Sequence, residues 1–153
     1  MENFKMTKLS GQKTIIDLEA PFTDERGMIQ NLVHHPLGSA VLITSKAGSI
    51  RAEHWHKEDF HYCYVIKGEL IYSERPLNSE DEPTVTTISA GQLFYTGPRV
   101  EHSMYFTMDT IFLTLGGLSR THEDYENDLV RLTNRLTDTA PLRRLISENN
   151  RCE

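Results

Sequence analysis

A chain of 153 residues suits one domain around a single hydrophobic core. With 38% apolar and 25% charged residues it has neither a disordered nor a membrane composition. Its net charge of −6 argues against nucleic-acid partners, which are held by clustered Lys and Arg, and favours a small-molecule or protein partner.

The opening MENFKMTKLSGQK lacks the apolar stretch of a signal peptide, and no apolar run approaches a membrane span, so a cytoplasmic protein with no membrane partner is expected. Cys63 and Cys152 are expected to be free thiols. In chain order, β-branched and aromatic stretches between Gly, Pro, Asn and Asp predict strands over 14–17, 28–33, 40–45, 50–56, 61–67, 69–75, 84–89, 92–96, 102–107 and 110–115. Ten strands with barely a helix between them predict an all-β sandwich or barrel, and a double-sheet jelly roll matches the size. A helix is expected only at the end, with Thr139 as its cap, Pro141 in its first turn and Leu142, Leu145 and Ile146 as its apolar stripe. One domain is expected over 1–153, with a barrel core at about 13–116 and an extension over 117–153.

The stretch HWHKEDFH holds three of the seven histidines. Residues two apart in a strand share a face, so His54 and His56 point together. With Ile50 and Ala52 also inward, Arg51, Glu53 and Trp55 point outward. His61 shares a face with Cys63 and Val65, and His102 with Met104 and Phe106, both apolar sets. Four imidazoles therefore converge on the barrel interior. Left unpaired there, their ring nitrogens would cost roughly 1 to 3 kcal/mol each. One divalent metal removes that cost, and imidazole favours zinc, iron, nickel or copper over calcium or magnesium. His34, His35 and His122 fall outside this set and read as surface or turn residues.

The pattern resembles the cupins. Gly48, His54, His56, His61 and Gly68 fall on their first motif, with histidine in the glutamate position, and Gly91 and His102 on their second, where Gly97-Pro98-Arg99 departs from Pro-x-Gly. The resemblance implies a cupin jelly roll with a short C-terminal helix. More narrowly, Asp24, Arg26 and Gly27 are similar to the D-x-R-G opening of cupins acting on nucleotide-linked sugars. RAEHWHK and YENDLVRL are similar to segments of the sugar ketoisomerases. Those isomerases typically work without metal, whereas this chain has His61 and His102. Where the epimerases carry an acid tyrosine, this chain has Thr114.

The resemblance tilts the functional reading to a metal-dependent isomerase or epimerase of a keto-sugar or nucleotide-sugar in polysaccharide biosynthesis. Pairing across Lys67-Gly68 turns Tyr72 and Glu74 into the barrel, Glu74 as base and Tyr72 as acid, although Tyr72 also suits core packing and Glu74 a solvated strand end. Arg51, Lys57 and Arg99 are the cations expected to meet substrate phosphate. Two alternatives stay open: an iron-dependent dioxygenase and a non-catalytic metal-containing sugar-binding module. A homodimer is expected through the outer face of Arg51, Glu53, Trp55, Tyr62, Tyr64 and Ile66.

Overall fold

Burial alternates residue by residue along β6 (His61–Lys67) and β11 (Thr110–Gly116), as in strands with one face on a core. The computed structural model describes residues 13–151. Its strands form two antiparallel five-stranded sheets. The first runs β1 (Ile15–Ile16), β9 (Leu93–Thr96), β6, β11, β4 (Ser39–Ser45). The second runs β12 (Leu129–Arg131), β5 (Ile50–His56), β10 (Val100–Phe106), β7 (Glu69–Pro76), β8 (Thr84–Ser89). Between them lies a core of Cys63, Val65, Leu70, Tyr72, Ile88, Phe94, Met104, Phe106 and Phe112. This is the double-sheet jelly roll expected from the strand pattern.

The differences from expectation are local. The strand expected over 28–33 is only β3 (Gly27–Ile29), because its partner β2 (Phe22–Asp24), which was not expected, is itself three residues long. Beyond it, the Gln30 side chain donates to the Glu19 and Asn31 carbonyls instead. Helix is not confined to the end: α1 (His122–Asp128) opens on Thr121, whose hydroxyl accepts from Asp124 N. The terminal helix α2 (Ala140–Asn149) lays Leu142, Leu145 and Ile146 on Ile71 and Tyr105 at the outer face of β7 and β10. Thr139 occupies its N-cap position, but the hydroxyl donates to Leu136 O at 2.6 Å, not serving as a cap.

Strand β5 departs from simple alternation. Against β10, His54 faces His102, Ala52 faces Ser103 and Arg51 faces Met104, so Glu53 is an extra residue. Ala52 and Glu53 have φ of 68° and 57°, left-handed values that β-carbon-bearing residues avoid. The Glu53 carboxylate holds this bulge by accepting from Leu136 N at 2.8 Å, Thr137 N at 3.2 Å and Thr137 Oγ1 at 2.6 Å. Parity flips past the bulge. Arg51 turns toward the interior and Ile50 toward the outer side, the reverse of the expected arrangement, while Glu53 is covered by the chain's own turn at 136–138.

Candidate functional site

The four sequence-predicted histidines come together at one end of the barrel. They are 2–8% exposed, and ring centroids lie 4.8 Å apart for His54 and His56, 4.8 Å for His54 and His102, and 4.6 Å for His56 and His61. They do not form a single four-histidine set. Donor atoms of His54, His56 and His102 lie within 4.8 Å of one another, and a second such set is His56, Asp59 and His61. His61 Nε2 lies 3.0 Å from Asp59 Oδ2, so a carboxylate already occupies it.

Two further contacts fix which nitrogen is free. His56 Nδ1 is 2.9 Å from Asp128 Oδ2, and His102 Nδ1 is 2.9 Å from Val100 O. An acceptor on Nδ1 puts the proton there and leaves Nε2 with its lone pair. Among the described residues the buried Nε2 of His56 has no hydrogen-bond partner. Burial, then the neighbouring His102 and His56, push His54 down to about 2. Burial followed by His61 and His102 does the same to His56, again to about 2, against the opposing pull of Asp59. Burial lowers His102 to about 4, although its bond to the Val100 carbonyl raises it. Neutral, buried, lone-pair nitrogens at this spacing suit a divalent transition metal.

Beside the histidines is a cavity of about 110 Å³ lined by Arg51, His54, His61, His102, Arg120 and Tyr125 over a floor that includes Cys63, Met104 and Thr114. Burial pushes the Cys63 thiol up to about 12, so it is inert; Cys152 lies outside the described residues. Arg51 reaches the cavity because of the bulge, with Nε on Ser45 Oγ at 2.6 Å and Nη2 on Thr44 O at 2.9 Å. Lys57 and Arg99 do not line it. Lys57 Nζ donates to Asn127 O at 2.8 Å on an outer groove that Glu58, Asp124 and Asp128 border. Arg99 is exposed, with φ of 58° where the second cupin motif has glycine, and its N–H donates to His56 O.

Glu74 faces His102 across the β7–β10 ladder and is 7% exposed. Its carboxylate accepts from Thr14 Oγ1 and, at 3.4 Å, from the Tyr72 hydroxyl, which also lies 2.6 Å from Thr96 Oγ1. Burial first, then the Glu74 charge, raise the Tyr72 phenol well above its ordinary value. Neither side chain lines the cavity. Sequence reasoning missed Asp59, Asp128, Arg120 and Tyr125. Tyr125 and Asp128 sit inside YENDLVRL, a stretch singled out only for its similarity to the sugar ketoisomerases.

No protein-family model and no curated protein matches the chain. Solved structures do. A double mutant of the QdtA 3,4-ketoisomerase from Thermoanaerobacterium thermosaccharolyticum, in complex with TDP, aligns with a TM-score of 0.63 and 21% identity over 77% of this chain and 86% of that one. The fold is a cupin jelly roll. The dTDP-4-dehydrorhamnose 3,5-epimerase from Sulfolobus tokodaii aligns at 0.62 and 13% identity over 84% of this chain and 87% of the other. CapF, a capsular polysaccharide assembling protein from Staphylococcus aureus, aligns at 0.56 and 19% identity over 76% of this chain but only 34% of its own.

Proposed function

We propose that the protein is a metal-containing cupin that isomerises or epimerises a keto-sugar, carried on a nucleotide, in polysaccharide biosynthesis. The observation that carries this reading is the buried, partnerless Nε2 of His56 grouped with the imidazoles of His54 and His102. Structural likeness to a ketoisomerase, a dTDP-sugar epimerase and a capsular polysaccharide protein supports the substrate class.

His54, His56 and His102 would hold the ion, with the Asp59–His61 pair offering the fourth donor. Bound there, a divalent transition metal supplies Lewis-acid polarisation of a carbonyl oxygen. The rest falls to the chain. Asp128 and the Val100 carbonyl orient two of the rings by their Nδ1 protons. In this reading the acid–base pair is Glu74 as proton acceptor and Tyr72, kept protonated by burial, as donor, on the His102 side of the barrel and outside the 110 Å³ cavity. Arg51 faces substrate from the cavity wall, and Lys57 and Arg99, flanking His56 from outside the barrel, are the cations offered to the diphosphate.

Deuterium exchange tests the reading. A keto-sugar nucleotide in deuterated water should take up deuterium beside its carbonyl without consuming oxygen, on protein that carries about one transition metal per chain. Glu74→Gln should slow exchange by roughly two to four orders of magnitude. Oxygen uptake with carbon–carbon cleavage would place the protein among the dioxygenases, and sugar binding without exchange among the sensing modules.

Self-association belongs to the same proposal, on a different surface from the one expected. The β2–β3 ribbon leaves Phe22, Met28 and Ile29 60%, 65% and 64% exposed, and an isolated two-stranded ribbon is marginal in water. A homodimer that buries it should scatter light at twice the 17.6 kDa chain mass. A particle of 17.6 kDa at micromolar concentration would end that idea.

A further inference from the structure

At the end of β11 the chain passes the histidine end of the barrel through Gly116 and Gly117, where a side chain would clash. A β-carbon on Gly117 would lie 2.3 Å from the Phe60 ring, and one on Gly116 2.5 Å from Ser39 Oγ. Gly117 N donates to Phe60 O at 3.0 Å and Leu118 N to Asp59 Oδ1 at 2.9 Å. The segment is thus pinned at both residues before it delivers Arg120. The guanidinium carbon of Arg120 sits 4.6 Å from the centre of the Tyr125 ring, and both side chains line the histidine cavity. A ring face braces a cation without neutralising it. Among the described residues Arg120 has no ion pair and no hydrogen bond. Arg51, on the same cavity, spends its bonds on the neutral Ser45 hydroxyl and Thr44 carbonyl.

Two guanidinium groups therefore border a half-enclosed space, and none of the described residues lining it is acidic. Cations with no carboxylate beside them favour an anion, and guanidinium matches a planar pair of oxygens. The 110 Å³ corresponds to about four water molecules at roughly 30 Å³ each. That admits a group the size of a carboxylate. We infer that Arg120, braced by Tyr125 and joined by Arg51, is an oxyanion receptor built into the histidine cavity. It takes a small planar anion of carboxylate or enediolate type. The enediolate form rests on the keto-sugar reading; the receptor itself does not.

Oxalate, a small planar dianion, is the probe. Calorimetric titration of the full chain in EDTA should show one saturable site that weakens as sodium chloride rises from about 0.05 to about 0.5 M. Arg120→Gln should lower the affinity at least tenfold and Arg120→Lys recover part of it, while Arg143→Gln on the exposed side of α2 leaves it unchanged. Wild-type affinity in Arg120→Gln, salt-independent binding, or no binding by the wild type in EDTA would each overturn the receptor. So would binding that appears only on adding zinc and ignores Arg120. If Arg120→Gln does not fold, the wild-type salt and EDTA titrations still decide. Displacement of oxalate by a keto-sugar nucleotide makes the enediolate the natural anion, and displacement by pyruvate alone makes it a carboxylate. Retained oxalate binding without deuterium exchange on any keto-sugar would remove the isomerase reading and leave the receptor standing.

Discussion

The inside of the barrel has two ends made of different materials. Along β6 the inward residues run His61, Cys63, Val65, and along β10 they run His102, Met104, Phe106. Within two pleats the lining changes from imidazole to hydrocarbon. At the apolar end Val65, Leu70, Ile88 and Phe106 are fully buried and ask for nothing but contact. At the imidazole end each ring needs a partner for two nitrogens. Asp128 and Asp59 meet one need each, and the His56 Nε2 is left over. One end stores stability, and the other holds an unsatisfied demand that a ligand can meet.

Acid should break the contrast most severely. Well above pH 6.5 the rings of His54, His56 and His102 are neutral in native and unfolded chains alike, so they take nothing from stability. As the pH falls below that, the unfolded chain takes up protons that the native chain cannot accept until about 4 at His102 and about 2 at His54 and His56. Each ring then removes up to about 1.4 kcal/mol per pH unit. Metal-free protein should lose its circular-dichroism signal between about pH 6 and about pH 4; a native spectrum held to about pH 3 would contradict buried neutral rings.

Substitution sharpens the same division. Phe112→Ala at the apolar end should cost about 3 to 5 kcal/mol in urea unfolding, with or without metal. His54→Ala should cost under about 1 kcal/mol in EDTA, because it removes a ring with no hydrogen bond among the described residues, yet it should abolish most of the stabilisation that added zinc provides. Equal costs for the two variants in EDTA would erase the distinction. The smallest effect concerns Arg99, just outside the imidazole end. Its φ of 58° is strained for a residue with a β-carbon, so Arg99→Gly should raise stability by about 1 kcal/mol, read as a higher melting temperature. An unchanged or lower value would mean that the Arg99 side chain offsets the strain.

The barrel was legible because period-two alternation is a local property: Cys63, Val65 and Leu70 announce an inward face wherever the rest of the chain goes. The same rule placed His54, His56, His61 and His102 on inward faces. It failed at Arg51, since a bulge built from Ala52 and Glu53 carries no glycine to mark it, and one extra residue reverses every face before it. The groups that orient the rings were illegible for another reason. Asp128 lies 72 positions from His56, and β12, which brings it there, is a three-residue strand too short to show a period. Asp59 stood in plain view in KEDF, where an acidic loop reads as solvated surface until Leu118 and His61 close over it.

The Glu53 bulge also makes the strand a lever. Its outer arm is gripped by the turn at 136–138, and its inner arm presents Arg51 to the cavity, with the extra residue as fulcrum. Leu136 and Thr137 belong to the terminal extension, not to the barrel. The extension therefore helps set the charge on the cavity wall from the far side of the sheet. A chain cut before residue 136 would keep all four histidines yet release the grip that turns Arg51 toward them.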